Sequence, residues 1–289
     1  VQTSGAGDVF VNQGSQTLKL NQVLIANGDF NLTAAGAGAL GDVATGAVDL
    51  EGVRSQSNSD ANDISIQAAG DIFVRYVSAG TYAETVADLP AIKAADGSLS
   101  TPDTLSSLGD VFLTSTGGRV LETFVDDAVD VVADEFFVSA SQGITGLETA
   151  INTLNAVTAN GNIELSDRDG VRESSAGLDV LRAVVTTTAS GDVSISAQQE
   201  LRVGRQEAVV AGITRPGYSG LVQGDSIRLA STSDSVSVLR PASGEALVYN
   251  SGIAFVAGDS VQLYRYFGAP ERIEYRAGDF IQFGEGTLT

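Results

Sequence analysis

Two groups of acidic residues have a spacing that could support acid-base chemistry. Asp167 and Asp169 flank Arg168 ahead of Gly170, and Asp126, Asp127, Asp130 and Asp134 crowd one short stretch. Paired carboxyls hydrolyse a glycosidic bond when one protonates the leaving oxygen and the other attacks the sugar or activates water, provided that the two converge at a defined separation. Closeness in sequence does not establish that convergence. The plainer expectation for Asp167-Arg168-Asp169-Gly170 is a turn carrying solvated acids. Histidine and cysteine are absent, so nucleophile–base pairs built on imidazole or thiolate are excluded. No catalytic residue is assigned, and the chain is not expected to be an enzyme. The spacing of an EF-hand loop and the Gly-rich nonapeptide of calcium-binding β-rolls are both missing. No cofactor or metal site is therefore named, and any calcium held at the Asp-rich corners is expected to be weakly bound.

The acids sit among a recurring unit that must position them. Ala26 to Ala35 reads A-N-G-D-F-N-L-T-A-A, Ser4 to Asn12 reads S-G-A-G-D-V-F-V-N, Ala69 to Tyr76 reads A-G-D-I-F-V-R-Y, and Ala189 to Ala197 reads A-S-G-D-V-S-I-S-A. Weaker copies start at Gly109, Asn160, Gly224, Gly258 and Gly278. Glycine tolerates positive φ, and aspartate or asparagine hydrogen-bonds nearby backbone N–H groups, so each unit opens with a corner. Alternation follows, placing Phe30 and Leu32, or Val193 and Ile195, on one face of a short strand. A half-buried strand of this kind needs neighbours. Gly7 to Gly28 spans 21 residues, Gly28 to Gly70 spans 42, and Gly258 to Gly278 spans 20, which implies a unit of about 20 residues. Gly70 to Gly109, Gly109 to Gly161 and Gly161 to Gly191 span 39, 52 and 30, so insertions interrupt it.

Composition narrows the classes of partner. The 289 residues carry 36 acids against 16 Lys plus Arg, for a formal charge of -20. Such a surface repels nucleic acid and anionic lipid. The sequence contains no apolar run of the ~20 residues that a membrane helix needs, so membrane insertion by a helix is not expected. Without an initiator methionine, the chain is expected to be an excerpt or a processed product, with any secretion signal outside it.

The expected architecture is all-β: a single right-handed parallel β-helix over residues 1–289, with coils of about 20 residues. An antiparallel β-sandwich is the alternative, since its strands also recur between turns. Residues 77–107 are expected to form an inserted excursion with one short helix starting near Thr81, and residues 206–220 a smaller one. Residues 245–289, rich in aromatics, are expected to form larger coils or a cap. Gly146 to Val157 has both helical and strand spacing, and strand is preferred. Phe10, Phe73 and Phe112 hold the outward position of their units. Separated by near-multiples of the coil, they are expected to align as a lateral contact strip.

The phrases A-N-G-D-F-N-L-T-A-A-G from Ala26, A-G-D-I-F-V from Ala69, G-D-V-F-L-T-S-T-G-G from Gly109 and A-S-G-D-V-S-I-S-A from Ala189 resemble the degenerate repeats of filamentous-haemagglutinin-like exoproteins. The run G-I-T-G-L-E-T-A-I-N-T-L-N-A-V-T-A-N-G-N-I-E-L from Gly143 resembles another of their phrases. What the resemblance implies is a secreted bacterial adhesin shaft displayed at the cell surface. Such a shaft would self-associate end to end or side by side into extracellular fibres and bind a host or surface receptor. The alternative is a polysaccharide-active enzyme or a glycan-binding module, with a surface groove lined by acids, arginines and the C-terminal tyrosines.

Overall fold

At the Gly-Asp corners of Asp8, Asp29, Asp71, Asp110 and Asp192 the carboxylate accepts a backbone N–H from the next rung. The computed structural model describes residues 1–14, 18–34, 48–80, 108–126, 128–168, 177–205, 208–210, 213–215, 217–239, 246–263, 273–278 and 281–283. Within it the Asp29 N–H donates to Asp8 Oδ1 at 3.1 Å, Asp63 to Asp29 Oδ1 at 3.0 Å, Asp110 to Asp63 Oδ1 at 3.0 Å, and Glu135 to Asp110 Oδ1 at 3.0 Å. This carboxylate column satisfies donors that a corner would otherwise leave unpaired. Gly28 shows why glycine precedes the acid. Its φ is +121°, and a Cβ there would lie 2.6 Å from the Gly7 carbonyl oxygen.

The chain divides into two compact units, one comprising residues 1–140 with 146–151 and the other 141–145 with 152–289. In the first, the strands are β1 (Val9–Gln13), β2 (Leu18–Leu20), β3 (Val23–Ile25), β4 (Phe30–Ala34), β5 (Val48–Leu50), β6 (Val53–Ser55), β7 (Ile64–Ala68), β8 (Ile72–Val74), β9 (Val77–Ser78), β10 (Val111–Ser115), β11 (Val120–Glu122) and β12 (Val131–Ala140). β13 (Ile144–Thr158) runs through the boundary. Three parallel ladders enclose the core: β1-β4-β7-β10-β12, β2-β5-β8-β11 and β3-β6-β9-β12. β12 belongs to two of them, its first residues facing β9 and its last facing β10. Inward positions stack as Phe30, Ile64, Val111 and Phe136, all essentially inaccessible to solvent. Burial of these columns is the main stabilising term.

The second unit repeats the arrangement. Its strands are β14 (Ile163–Asp167), β15 (Leu178–Val185), β16 (Val193–Ala197), β17 (Leu201–Val203), β18 (Ala208–Val210), β19 (Ile213–Arg215), β20 (Leu221–Ser231), β21 (Val236–Val238), β22 (Leu247–Ala257), β23 (Val261–Leu263), β24 (Ile273–Arg276) and β25 (Ile281–Phe283). Parallel ladders run β14-β16-β20-β22-β24 and β15-β17-β21-β23-β25. β20 again serves two ladders, facing β15 at Arg182↔Leu221 and β16 at Val193↔Ile227. A separate antiparallel pair, β18 with β19, is attached.

These findings correct the expected architecture. A right-handed β-helix of uniform coils of about 20 residues is not what forms. In the first unit Val9 faces Phe30, Phe30 faces Ile64, Ile64 faces Val111 and Val111 faces Phe136, steps of 21, 34, 47 and 25 residues. In the second unit Ile163, Val193, Ile227, Ile253 and Ile273 follow at 30, 34, 26 and 20. Strands shared between ladders close each unit around its core, giving a barrel-like, parallel all-β enclosure with an attached small sheet. Parallel pairing throughout the ladders also sets aside the antiparallel sandwich. Local alternation specifies a strand and its buried face, whereas the number of residues spent between paired strands is free to vary, and here it does.

Gly146 to Val157 is strand, within β13. Of the 77–107 segment, Val77 and Ser78 form β9 and Ala79 and Gly80 are buried. The helix expected from Thr81 lies outside the described residues. The 206–220 segment contains the β18–β19 hairpin. In the C-terminal region Phe255 is buried at 1% exposure, while Tyr264, Tyr266, Phe267 and Phe280 lie outside the described residues.

Candidate functional site: an outer groove and two acidic clusters

Along β14, β16, β20 and β22 the outward residues form a groove of about 400 Å³. Alternation puts Ile163, Val193, Ile227 and Ile253 inward and leaves the polar residues on the outer face. Register then aligns Glu164, Ser194, Arg228 and Ala254 as neighbours in one outward row. Asn162, Asp192, Ser226 and Ser251 line one side. That side is a second corner column. Asn162 Oδ1 accepts the Asp192 N–H at 3.0 Å, Asp192 Oδ1 accepts the Ser226 N–H at 3.0 Å, and Ser251 donates its hydroxyl to Asp225 at 2.8 Å. Glu164 and Arg228 are exposed, whereas Ser194 between them and Gly252 and Ala254 beyond Arg228 give a low floor. A chain of hydroxyl groups laid across such strands would meet donors and acceptors in each rung.

Two sets of carboxylates meet in the first unit. Glu122, Asp130 and Glu148 bring one oxygen each within 4.8 Å of one another, and so do Asp60, Asp110 and Asp134. Asp130, 4% exposed, accepts the Glu148 N–H at 3.0 Å, and Glu122 Oε1 accepts the Asp126 N–H at 2.8 Å. Burial, with repulsion from Glu122, Glu148 and Asp126, pushes Asp130 up to about 9. Burial also dominates at Asp110, pushed up to about 7 with help from Glu135, Asp63 and Asp134. Oxygen-only sites of this sort suit hard divalent cations, which neutralise converging carboxylates. Either cluster could coordinate a metal ion.

The acids singled out from sequence are distributed differently from their spacing. Asp130 and Asp134 part company, one to each cluster. Asp126 is exposed at a loop and Asp127 lies outside the described residues. Asp167 is not in a solvated turn: it ends β14 at 1% exposure, because an aspartate at the fifth position of an alternating strand points to the core. Asp169 and Gly170 lie outside the described residues. Sequence reasoning missed Glu122, Glu148, Asp60 and Asp110 as cluster members, since they come from strands and turns brought together only by pairing. The alternative reading expected a surface groove with acids, arginines and the C-terminal tyrosines but did not place it; this groove carries Glu164, Asp192 and Arg228 and, among the described residues, no tyrosine, and its local signal was outward Ser, Asn and charged residues on successive Gly-Asp or Gly-Asn units.

The expected phenylalanine strip is also corrected. Phe10 and Phe112 share one outward column, with Asn31 and Ser65 between them, but Phe73 lies in another ladder between Asp49 and Leu121. Unequal rungs put whole multiples of 20 out of step. Phe112 instead stacks on Phe137, ring centroids 4.7 Å apart and planes 7° from parallel, while Phe10 is 71% exposed.

Comparison with protein-family models, with curated proteins and with solved structures finds no match. The resemblance to filamentous-haemagglutinin-like exoproteins is not upheld, because the ladders form a barrel-like enclosure with an attached small sheet and not a uniform solenoid. Its phrases capture the Gly-Asp corner, and the unequal rungs and shared strands remove the uniform shaft on which the adhesive and fibre-forming role depended.

Proposed function

We propose that this protein binds a polysaccharide along the β14-β16-β20-β22 groove and does not turn it over. The observation that carries the reading is the groove itself: polar side chains from four successive strands border a floor of small residues. Strand spacing places those groups about 4.8 Å apart, a regular row suited to the repeated hydroxyls of a glycan. Binding without chemistry is favoured by the role of Asp192, whose Oδ1 is committed to the Ser226 backbone as a corner acceptor. Polysaccharides are met chiefly outside cells, so the reading carries with it an extracellular place of action. Calorimetric titration with neutral and acidic oligosaccharides, alongside a reducing-end assay, tests it. Saturable heat without new reducing ends is expected; new reducing ends that vanish in Glu164→Gln would replace the module by an enzyme.

A second feature accompanies this one. Three converging carboxylates at Glu122, Asp130 and Glu148 favour a divalent cation, and calcium is the ion proposed, given all-oxygen donors. Binding to the folded state alone raises stability by about 2.7 kcal/mol when calcium stands at 100 times its Kd. A calcium-dependent rise in Tm is expected, and Glu148→Gln should reduce it. An identical rise in that variant would remove this cluster as the site.

A further inference from the structure

Resting on the groove reading, we infer that Arg228 sets the groove's specificity by taking an acidic group of the glycan, a carboxylate or a sulfate ester, between units that bear only hydroxyl or amide groups. Arg228 projects from the centre of the outward row, opposite Ser194 on one side and Ala254 on the other. Neither neighbour is large enough to fill the space beside it. Among the described residues the guanidinium has no ion-pair partner, although the chain carries 36 acids and Glu164 and Asp192 line the same groove. An arginine fork matches the two oxygens of a carboxylate or sulfate, and such charge-assisted pairs are about twice as strong as neutral ones.

The surroundings also limit how much charge the ligand carries. Glu164 stands two strands from Arg228 in the row, about 10 Å away at the usual strand spacing. An acid on the sugar unit nearest Glu164 would meet a carboxylate. With a net charge of -20 behind it, the groove repels a ligand charged at every unit. The fitting class is a glycan whose acidic units alternate with uncharged ones.

Calorimetry with four probes tests this: a hexasaccharide alternating glucuronate and N-acetylglucosamine, its carboxyl-reduced form, a sulfated carboxyl-free form, and a hexauronate. The alternating acid, as carboxylate or as sulfate, should bind at least about tenfold more tightly than the carboxyl-reduced form, in line with a charge-assisted pair. The hexauronate should bind more weakly than the alternating form. Arg228→Gln should bring affinity for the alternating acid down to that for the carboxyl-reduced form, erasing the preference, with an unaltered melting curve as the check on folding. Equal binding of acidic and carboxyl-reduced forms by the unsubstituted protein overturns the inference and leaves the groove reading standing. So does a preference that survives Arg228→Gln. If none of the four binds, the groove reading fails, and this inference with it.

Discussion

At Asp63 one residue serves two rungs, its N–H donating to Asp29 and its carboxylate accepting from Asp110. Removing the acceptor strands a part-buried N–H, which costs about 1–3 kcal/mol. Asp63→Ala is accordingly expected to lower the urea midpoint, whereas Asp63→Asn keeps the acceptor and removes a charge that burial already disfavours. Equal losses in the two variants would show that the column is not held by this bond. Asp110 and Asp130 extend the argument to pH. Both stand above the ordinary value of 3.8 when folded, at about 7 and about 9. The folded state therefore holds their protons more tightly than the unfolded chain does. Their contribution is fully present below about pH 4 and is lost as pH rises, through about 7 for Asp110 and about 9 for Asp130. In calcium-free buffer Asp130→Asn should raise Tm at pH 8 and change it little at pH 4. A gain of the same size at both values would mean that ionisation is not its cause.

The element-scale constraint is the closeness of one corner to the next. At Gly109 an added Cβ would fall 2.1 Å from the Asn62 carbonyl oxygen, a backbone atom that cannot swing aside. Gly109→Ala should thus destabilise by more than about 1 kcal/mol, against the small gain that replacing a glycine gives where there is room. Chemical denaturation measures this directly, and a stabilised variant would mean the corners can separate without loss. The same tight corners explain why the Gly-Asp rhythm was legible in the sequence: glycine is demanded where rungs touch, and the acid is demanded by the neighbouring N–H. The strand character of β13 was legible too, from its alternation. What lies between corners was not, because a loop leaving the ladder can return after 21 or 47 residues with the same register.

Across the whole molecule, charge acts against compactness. A net charge of -20 repels itself over the ~30 Å screening length of 0.01 M salt, but over only ~8 Å at 0.15 M. Raising sodium chloride between those values should raise Tm, and calcium should do more than its ionic strength explains if the Glu122–Asp130–Glu148 cluster binds it. A Tm indifferent to salt would place the excess acids too far apart to matter. The same field bears on the proposed ligand choice, since a sparsely charged glycan would meet less repulsion on its way to Arg228 than one charged at every unit.

Sequence alone determined the all-β class, the Gly-Asp corners, the inward residues of β4 and β16 and the absence of imidazole and thiol chemistry. These follow from local rules: steric freedom at glycine, period-two alternation, and composition. Tertiary structure decided which rungs pair, that β12 and β20 each join two ladders, that Asp130 and Asp134 belong to different clusters, and that Glu164, Ser194 and Arg228 form one row. Residues 30 and 34 apart become neighbours there through hydrogen bonds between strands, and nothing in the short-range pattern of a chain counts the residues left between its pairing partners.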